Sequence, residues 1–182
     1  TGTLSLILYS VISLAIKEVL LLGNEKLRRK SSPISDATDV SLDQVKTDLR
    51  DTLKSLKNKH GMGRALAAPQ IGYLKQIIYY RFEGQSFFMI DPKIVSKSSE
   101  EFQVWDSCFS FDMEFFVKIP RHRKIEVKYR DGDGVKHQGG VSGKESELFQ
   151  HEIDHLHGKL ATDHLQEPEN IMMREEWERS IS

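Results

Sequence analysis

The segment from residue 144 to 157 constrains the fold of this chain more than any other. It reads Lys-Glu-Ser-Glu-Leu-Phe-Gln-His-Glu-Ile-Asp-His-Leu-His and is followed by Gly158, a pattern that predicts a helix. At 3.6 residues per turn, His151 and His155 fall on one face, one turn apart. Two imidazoles at that spacing can bind one metal ion, and Glu152 beside them is a candidate general base for a water activated by the metal. The structural alternative is a surface helix that carries two histidines by chance.

Two histidines leave a zinc-like site one protein ligand short, and families that share the motif differ in the third ligand. One pattern needs a histidine at the position of Ala161, which cannot bind a metal, and His164 comes three residues too late. Glu175, twenty residues after His155, would instead give a zinc metallopeptidase site that resembles the thermolysin-like one. Its neighbour Glu176 favours a solvated helix face there. Cys108 is the other candidate.

Composition excludes several classes of protein. The net charge is −1, so there is no general attraction to nucleic acid, and no sequence-specific nucleic-acid partner is expected. A basic patch is predicted only locally, where Lys124, Lys128 and Arg130 share one face of a strand. The chain has a single cysteine, which excludes an intrachain disulfide and favours a reducing compartment.

The first 17 residues are expected to form an extension of uncertain role, ahead of one domain over residues 18–182. Leu4 to Ile16 is an apolar run of 13 residues, shorter than the roughly 20 that a membrane span needs. No membrane span is therefore predicted. A signal peptide is also not expected, because the run lacks a basic flank and a small-residue cleavage site.

Periodicity along the chain predicts the α+β class, with mostly antiparallel sheets around the central metal-binding helix. Ser41 is predicted to cap an amphipathic helix, with Gln44 as its capping-box partner and Gly61 as its end. The predicted strands are residues 76–81, 86–90, 115–119, 124–130 and 135–138. Pro168 is predicted to open a last helix, with residues 171–177 in its first turns.

Three motifs then occur in the order found in peptide deformylases, a family that the chain resembles. Residues 63–72 (GRALAAPQIG) resemble G-x-G-L-A-A-x-Q, residues 106–110 (DSCFS) resemble E-G-C-L-S, and residues 150–158 (QHEIDHLHG) resemble Q-H-E-x-D-H-L-x-G. Pro120-Arg121 is similar to the family's V-P-R. The resemblance spans about residues 18–166 and favours Cys108 over Glu175 as the third ligand.

The resemblance also implies a set of roles. The implied metal ligands are Cys108, His151 and His155. The implied ion is one divalent metal, Fe²⁺ in the cell, with Zn²⁺, Ni²⁺ or Co²⁺ also accepted. The implied catalytic residues are Glu152 for proton transfer, and the Gln70 side-chain amide and Phe109 backbone N–H for the negative charge on the formyl oxygen. A deformylase-like protein that binds metal or formylated ends without turnover is a further alternative, which the presence of Glu152 argues against.

The implied reaction removes the formyl group from formylmethionyl nascent peptides and releases formate. The expected setting is the ribosome, in the bacterial cytoplasm or an organellar matrix, for a monomer or weak dimer. By resemblance, the residues that contact the peptide are Gly63, Ala65, Leu66, Glu147 and Leu148. The Ala65 backbone would pair with the extended peptide.

Four positions depart from the family pattern. Ala65 replaces a glycine, Asp106-Ser107 replaces Glu-Gly, and Phe109 replaces leucine. The shorter Asp106 is expected to pair more loosely with Arg121. The fourth is Glu147, four residues before His151, where the family pattern implies an apolar pocket for the methionine side chain.

Two expectations follow for Glu147. The simpler is that it points to solvent at the start of the helix, where the helix dipole favours it. If it lines the pocket instead, an unpaired carboxylate there would cost several kcal/mol. On that alternative, we hypothesise a substrate preference shifted away from simple formylmethionyl peptides.

Overall fold

The computed structural model describes residues 16–182. Over this range the chain has the predicted α+β class, with eight strands and three α-helices joined by loops and short 3-10 turns. The strands are β1 (Ala65–Ala67), β2 (Ile77–Phe82), β3 (Gln85–Lys97), β4 (Glu101–Asp106), β5 (Phe115–His122), β6 (Lys124–Arg130), β7 (Lys136–Ser142) and β8 (Ile171–Met173). The helices are α1 (Asp43–His60), α2 (Lys144–Leu156) and α3 (Arg174–Ser180).

The strands form two sheets, one of five strands in the order β1-β2-β3-β6-β7 and one of three in the order β4-β5-β8. Every neighbouring pair of strands in both sheets is antiparallel, as predicted. Strand β1 therefore lies at one edge of the larger sheet, with β2 on one side only.

Helix α2 lies in the interior, and nine of its 13 residues are buried. Leu148, Phe149, Ile153 and Leu156 pack against the larger sheet in one apolar cluster. Cys108 lies in a second cluster with β5 residues of the smaller sheet. The helix that carries the histidines is thus a core element, which excludes the surface-helix alternative.

Helix α1 ends at Gly61 as predicted, with that residue in the left-handed region at φ +72°. Its predicted start is wrong. A 3-10 turn capped by Asp39, which accepts from the Ser41 N–H, precedes the helix. The Gln44 side chain donates to Asp48 at 2.6 Å instead of completing a capping box with Ser41. The helix can begin without a side-chain cap because the preceding turn leads directly into it.

The five predicted strands all occur, but only β6 has the predicted bounds. Strand β3 continues to Lys97, and β4 was not predicted. The predicted last helix is wrong at its start, because residues 171–173 form β8 against Phe115–Val117 of β5. Helix α3 consequently begins at Arg174.

Most of the apolar run at the start of the chain lies outside the described residues. After it, the Leu20 N–H donates to the Gln70 carbonyl at 2.7 Å and the Leu22 N–H to the Ser110 carbonyl at 2.8 Å. The segment around Leu20 thus supports the residues that form the site below. Within residues 16–182, no helix is both long and apolar enough to span a membrane.

Candidate metal centre and active site

Three buried side chains converge between α2 and the loop that follows β4. The donor atoms of Cys108, His151 and His155 all lie within 4.8 Å of one another. Cys108 Sγ lies 3.3 Å from His155 Nε2, and the two Nε2 atoms are 3.2 Å apart. Among the described residues, this is the one group of three or more histidine, cysteine and acidic side chains so placed. The sequence motif alone predicts that the two histidines lie on one face of the helix, and the fold brings Cys108 to them.

A carboxylate holds the first imidazole in place. Oδ2 of Asp106, the last residue of β4, lies 2.9 Å from His151 Nδ1, so Nε2 of that ring faces Cys108 and His155. The Arg121 guanidinium donates to Asp106 at 3.1 Å and to Asp154 at 2.6 Å, and His164 contacts Asp154 at 2.7 Å. The shorter Asp106 side chain thus reaches both His151 and Arg121. That it pairs more loosely with Arg121 than a glutamate would stays a prediction.

The electrostatics of this network follow from burial and opposite charge. Burial alone would raise the pKa of Asp106, but His151 and Arg121 hold that pKa well below its usual range. Burial also opposes ionisation of Asp154, yet His164 and Arg121 lower its pKa to about 2. For His155, burial and the neighbouring His151 lower the pKa to about 3, so its imidazole stays neutral and able to bind a metal.

Glu152 lies beside the group, with 4% of its surface exposed. Its Oε2 is buried and accepts no hydrogen bond from the described residues. Burial raises the pKa of Glu152 to about 7, against the opposing charge of His151. A carboxyl group with a free oxygen and a pKa near neutrality is suited to take up and release a proton.

Two candidate hydrogen-bond donors face the same region. The side-chain Oε1 of Gln70 accepts from the Ala67 N–H at 2.9 Å, which aims Nε2 of the same side chain at Cys108 Sγ and Ser110 Oγ, both at 3.3 Å. Phe109 is the first residue of a 3-10 turn that Cys108 caps. Its N–H has no partner within that turn, because the first N–H groups of a helix lack one.

Strand β1 supplies the wall opposite α2. Ala65 lines a cavity beside Cys108 and His151. Its φ is not positive, so the replacement of glycine brings no strain there. Gly63 has φ +127°, and a Cβ on it would lie 2.3 Å from Phe109 Cζ. The Leu66 side chain is fully buried in a core cluster, so only its backbone can reach a peptide.

The cavity has a volume of about 360 Å³, and its lining includes Glu147, Leu148, Cys108 and His151. The simpler expectation for Glu147 is wrong. Only 14% of its side chain is exposed, and Arg64 donates to its Oε1 at 3.2 Å. Burial raises the pKa of Glu147, which Arg64 opposes.

The peptidase alternative is also wrong about its third ligand. The side chain of Glu175 is 85% exposed on α3, near Arg179, and it is not part of the converging group. A solvated helix face was the simpler interpretation of this acidic pair, and the structure supports it.

Sequence reasoning missed several residues of the cavity. Arg64 lies inside the first motif but carried no signal of its own, since its partner is 83 residues away. Lys57 and Gly61 were also missed, and the other missed lining residues are aromatic or methionine side chains. They are Met62, Phe82, Trp105, Met113 and Phe116.

Comparison with known proteins supports these observations. Residues 16–170 match the family model of polypeptide deformylase. A peptide deformylase 2 of Clostridium acetobutylicum is 35% identical over 150 residues, which cover 82% of this chain and 95% of the relative. A peptide deformylase of Leptospira biflexa is 31% identical over 164 residues, with coverage of 84% and 89%.

Solved structures agree with the sequence matches. The peptide deformylase of Legionella pneumophila superposes with a TM-score of 0.75 at 30% identity, covering 90% of this chain and 92% of that one. The Synechococcus elongatus peptide deformylase in complex with actinonin gives 0.77 at 28% identity, covering 85% and 81%. The Acinetobacter baumannii enzyme bound to Met-Ala-Ser gives 0.74 at 25% identity, covering 82% and 98%.

Proposed function

The chain belongs to the polypeptide deformylase family of metal-dependent enzymes, which remove the N-formyl group from nascent peptides, and we propose the residues with which it does so. Cys108, His151 and His155 bind one divalent metal ion, and Glu152 is the general base. The observation that carries this assignment is the convergence of one sulfur and two nitrogen atoms within 4.8 Å.

The donor set fits a divalent transition metal. Donors around a tetrahedral ion at usual bond lengths lie about 3.4 Å apart, close to the 3.2 and 3.3 Å found here. Asp106 holds Nδ1 of His151, so the Nε2 atoms of both imidazoles and the Cys108 sulfur face one another. Against burial, Asp106 and Cys108 raise the pKa of His151 well above its usual range, and a divalent ion bound there would displace the proton on Nε2. Imidazole and thiolate suit Fe²⁺, Zn²⁺, Ni²⁺ and Co²⁺ better than Mg²⁺ or Ca²⁺. We propose Fe²⁺ as the ion used in the cell.

The bound ion supplies Lewis acidity towards water and the formyl oxygen. The side chains do the rest. Glu152 takes a proton from the attacking water through its free buried oxygen and passes it to the departing peptide amine. Burial raises the pKa of the Glu152 carboxyl group to about 7, so the group can both take up and release a proton near pH 7.

Gln70 and Phe109 supply the hydrogen bonds for charge that develops on the formyl oxygen. The Gln70 amide makes two long contacts of 3.3 Å, so it can turn towards that oxygen at little cost. The Phe109 N–H is held in position by the 3-10 turn. Losing one such donor typically slows a reaction by about 10²–10³.

The peptide chain is proposed to pair with the free edge of β1, through the backbone of Ala65. An extended peptide added to a sheet edge gains main-chain hydrogen bonds, and the Acinetobacter relative binds a tripeptide, Met-Ala-Ser. The described part of one chain contains the whole proposed site, which supports a working monomer. Nascent-peptide substrates and bacterial relatives support a place at bacterial or organellar ribosomes.

Formate release from formyl-Met-Ala tests the proposal, with the metal content of anaerobically purified protein measured alongside. Glu152→Gln should keep the metal and lose at least about 10² of the rate, whereas Cys108→Ser should lose the metal. The matched control Glu145→Gln alters an acid of the same helix that bonds Tyr80 and should change neither. Full metal content in the Cys108→Ser variant would refute the ligand assignment.

A further inference from the structure

One ion pair in the cavity wall has no part in the proposed chemistry. Arg64 donates through Nη2 to Glu147 at 3.2 Å and through Nη1 to the Lys144 carbonyl at 3.1 Å. It joins the loop before β1 to the first turns of α2. The two side chains are 28% and 14% exposed, so they are largely withdrawn from bulk water.

The pair lies where the first side chain of a substrate must go. Glu147 stands four residues, about 6 Å along the helix axis, before His151. Gly63 and Ala65, on either side of Arg64, line the same cavity. If the formyl group lies at the proposed metal site and the peptide runs along β1, the side chain of the first peptide residue therefore lies against Arg64 and Glu147.

This part of the cavity wall is polar, and one of its carboxylate oxygens lacks a hydrogen bond from the protein. Arg64 donates to Glu147 Oε1, whereas Oε2 has no hydrogen bond from the described residues, and 14% of the side chain is exposed. An apolar side chain that fills the cavity displaces water from this pair and returns no hydrogen bond. A carboxamide can donate to the carboxylate oxygen and accept from the guanidinium.

We propose that the Arg64–Glu147 pair is a specificity determinant that favours N-formyl peptides whose first side chain ends in a hydrogen-bonding group over apolar side chains of similar length. The inference rests on the function proposed for the same site. It specifies the shifted substrate preference hypothesised from the sequence, because the pair presents both a donor and an acceptor to the substrate.

The test compares kcat/KM for formyl-Gln-Ala and formyl-norleucine-Ala, whose first side chains are similar in length and differ in polarity. The double variant R64L/E147L removes both charges, so that neither is left buried alone. The preference for glutamine over norleucine should be at least about tenfold greater in the unaltered protein than in the double variant. Glu145→Gln, on the same helix but outside the cavity lining, should keep the unaltered preference.

An equal preference in the unaltered protein and the double variant would overturn the inference while leaving the proposed function intact. Release of formate from neither peptide, nor from formyl-Met-Ala, by the unaltered protein would refute the function and the inference with it. Glu147→Gln provides a second measurement if the double variant does not fold. It should reduce the glutamine preference at least about threefold, because its amide no longer presents an accepting carboxylate, and an unchanged preference would again refute the inference.

Discussion

Replacing Gly63 with alanine should damage both stability and activity, because two independent constraints meet there. Its φ of +127° lies where L-residues are strained, and the new Cβ would lie 2.3 Å from the ring of Phe109. The backbone strain costs about 1–3 kcal/mol and the forced movement of a packed ring about 1–3 kcal/mol more. The expected loss in free energy of unfolding is therefore about 2–6 kcal/mol.

The matched control is Gly61→Ala. Gly61 also has a positive φ, +72°, but a Cβ there meets nothing within 4 Å. That variant should lose only about 1 kcal/mol, the usual cost of alanine in the left-handed region. The difference between the variants reports the contact with Phe109 together with the greater backbone strain at φ +127°.

Urea unfolding of both variants measures the stability difference, and formate release measures the consequence at the site. Moving the Phe109 ring also moves its backbone N–H, and a displacement of about 1 Å can cost about 10² in rate. We expect kcat/KM to fall at least about tenfold for Gly63→Ala and to stay within about twofold for Gly61→Ala. Equal stability losses in the two variants, with unchanged kcat/KM, would refute the reasoning.

Three further predictions follow from the same contacts. Arg121→Met should lower the free energy of unfolding by about 3–5 kcal/mol in urea titrations, because the carboxylates of Asp106 and Asp154 lose their shared buried cation; a loss below about 1 kcal/mol would contradict the network. Trp177→Ala removes a ring stacked on Phe116 at 4.3 Å, and it should cost at least about 1 kcal/mol in the same assay and raise KM for formyl-Met-Ala, since Phe116 lines the cavity. Chelation of the metal should abolish formate release, and added Fe²⁺ or Ni²⁺ should restore it; activity that survives complete chelation would contradict the proposed mechanism.

The elements with strong local signals were predictable from the sequence. Helix α2 and the positions of its two histidines follow from spacing alone, because i and i+4 residues share a face whatever the fold around them. Strand β6 alternates polar and apolar residues, which indicates one buried face. Gly61 ends α1 because its left-handed conformation costs glycine nothing.

Other elements depend on partners that a local pattern does not contain. Strand β3 continues past Ile90, its predicted end, to Lys97, although Pro92 within it cannot donate in a sheet. In the structure Pro92 lies at a shift of register between Ile90 and Lys93, where a missing N–H is tolerated. Residues 171–173 form β8 because β5 offers them an edge, so a tertiary contact decides between helix and strand.

The site divides in the same way. One turn of helix sets the separation of His151 from His155, whereas Cys108 comes 43 residues before the first of them and was chosen over Glu175 only through the order of the family's motifs. Glu147 shows the limit most clearly. A carboxylate at position 147, one turn before His151, is stable only in contact with water or a cation, and the fold brings Arg64 to it from 83 residues away. Neither residue alone indicates the polarity of the cavity wall; a charge at position 147 can be interpreted only together with the residue at position 64.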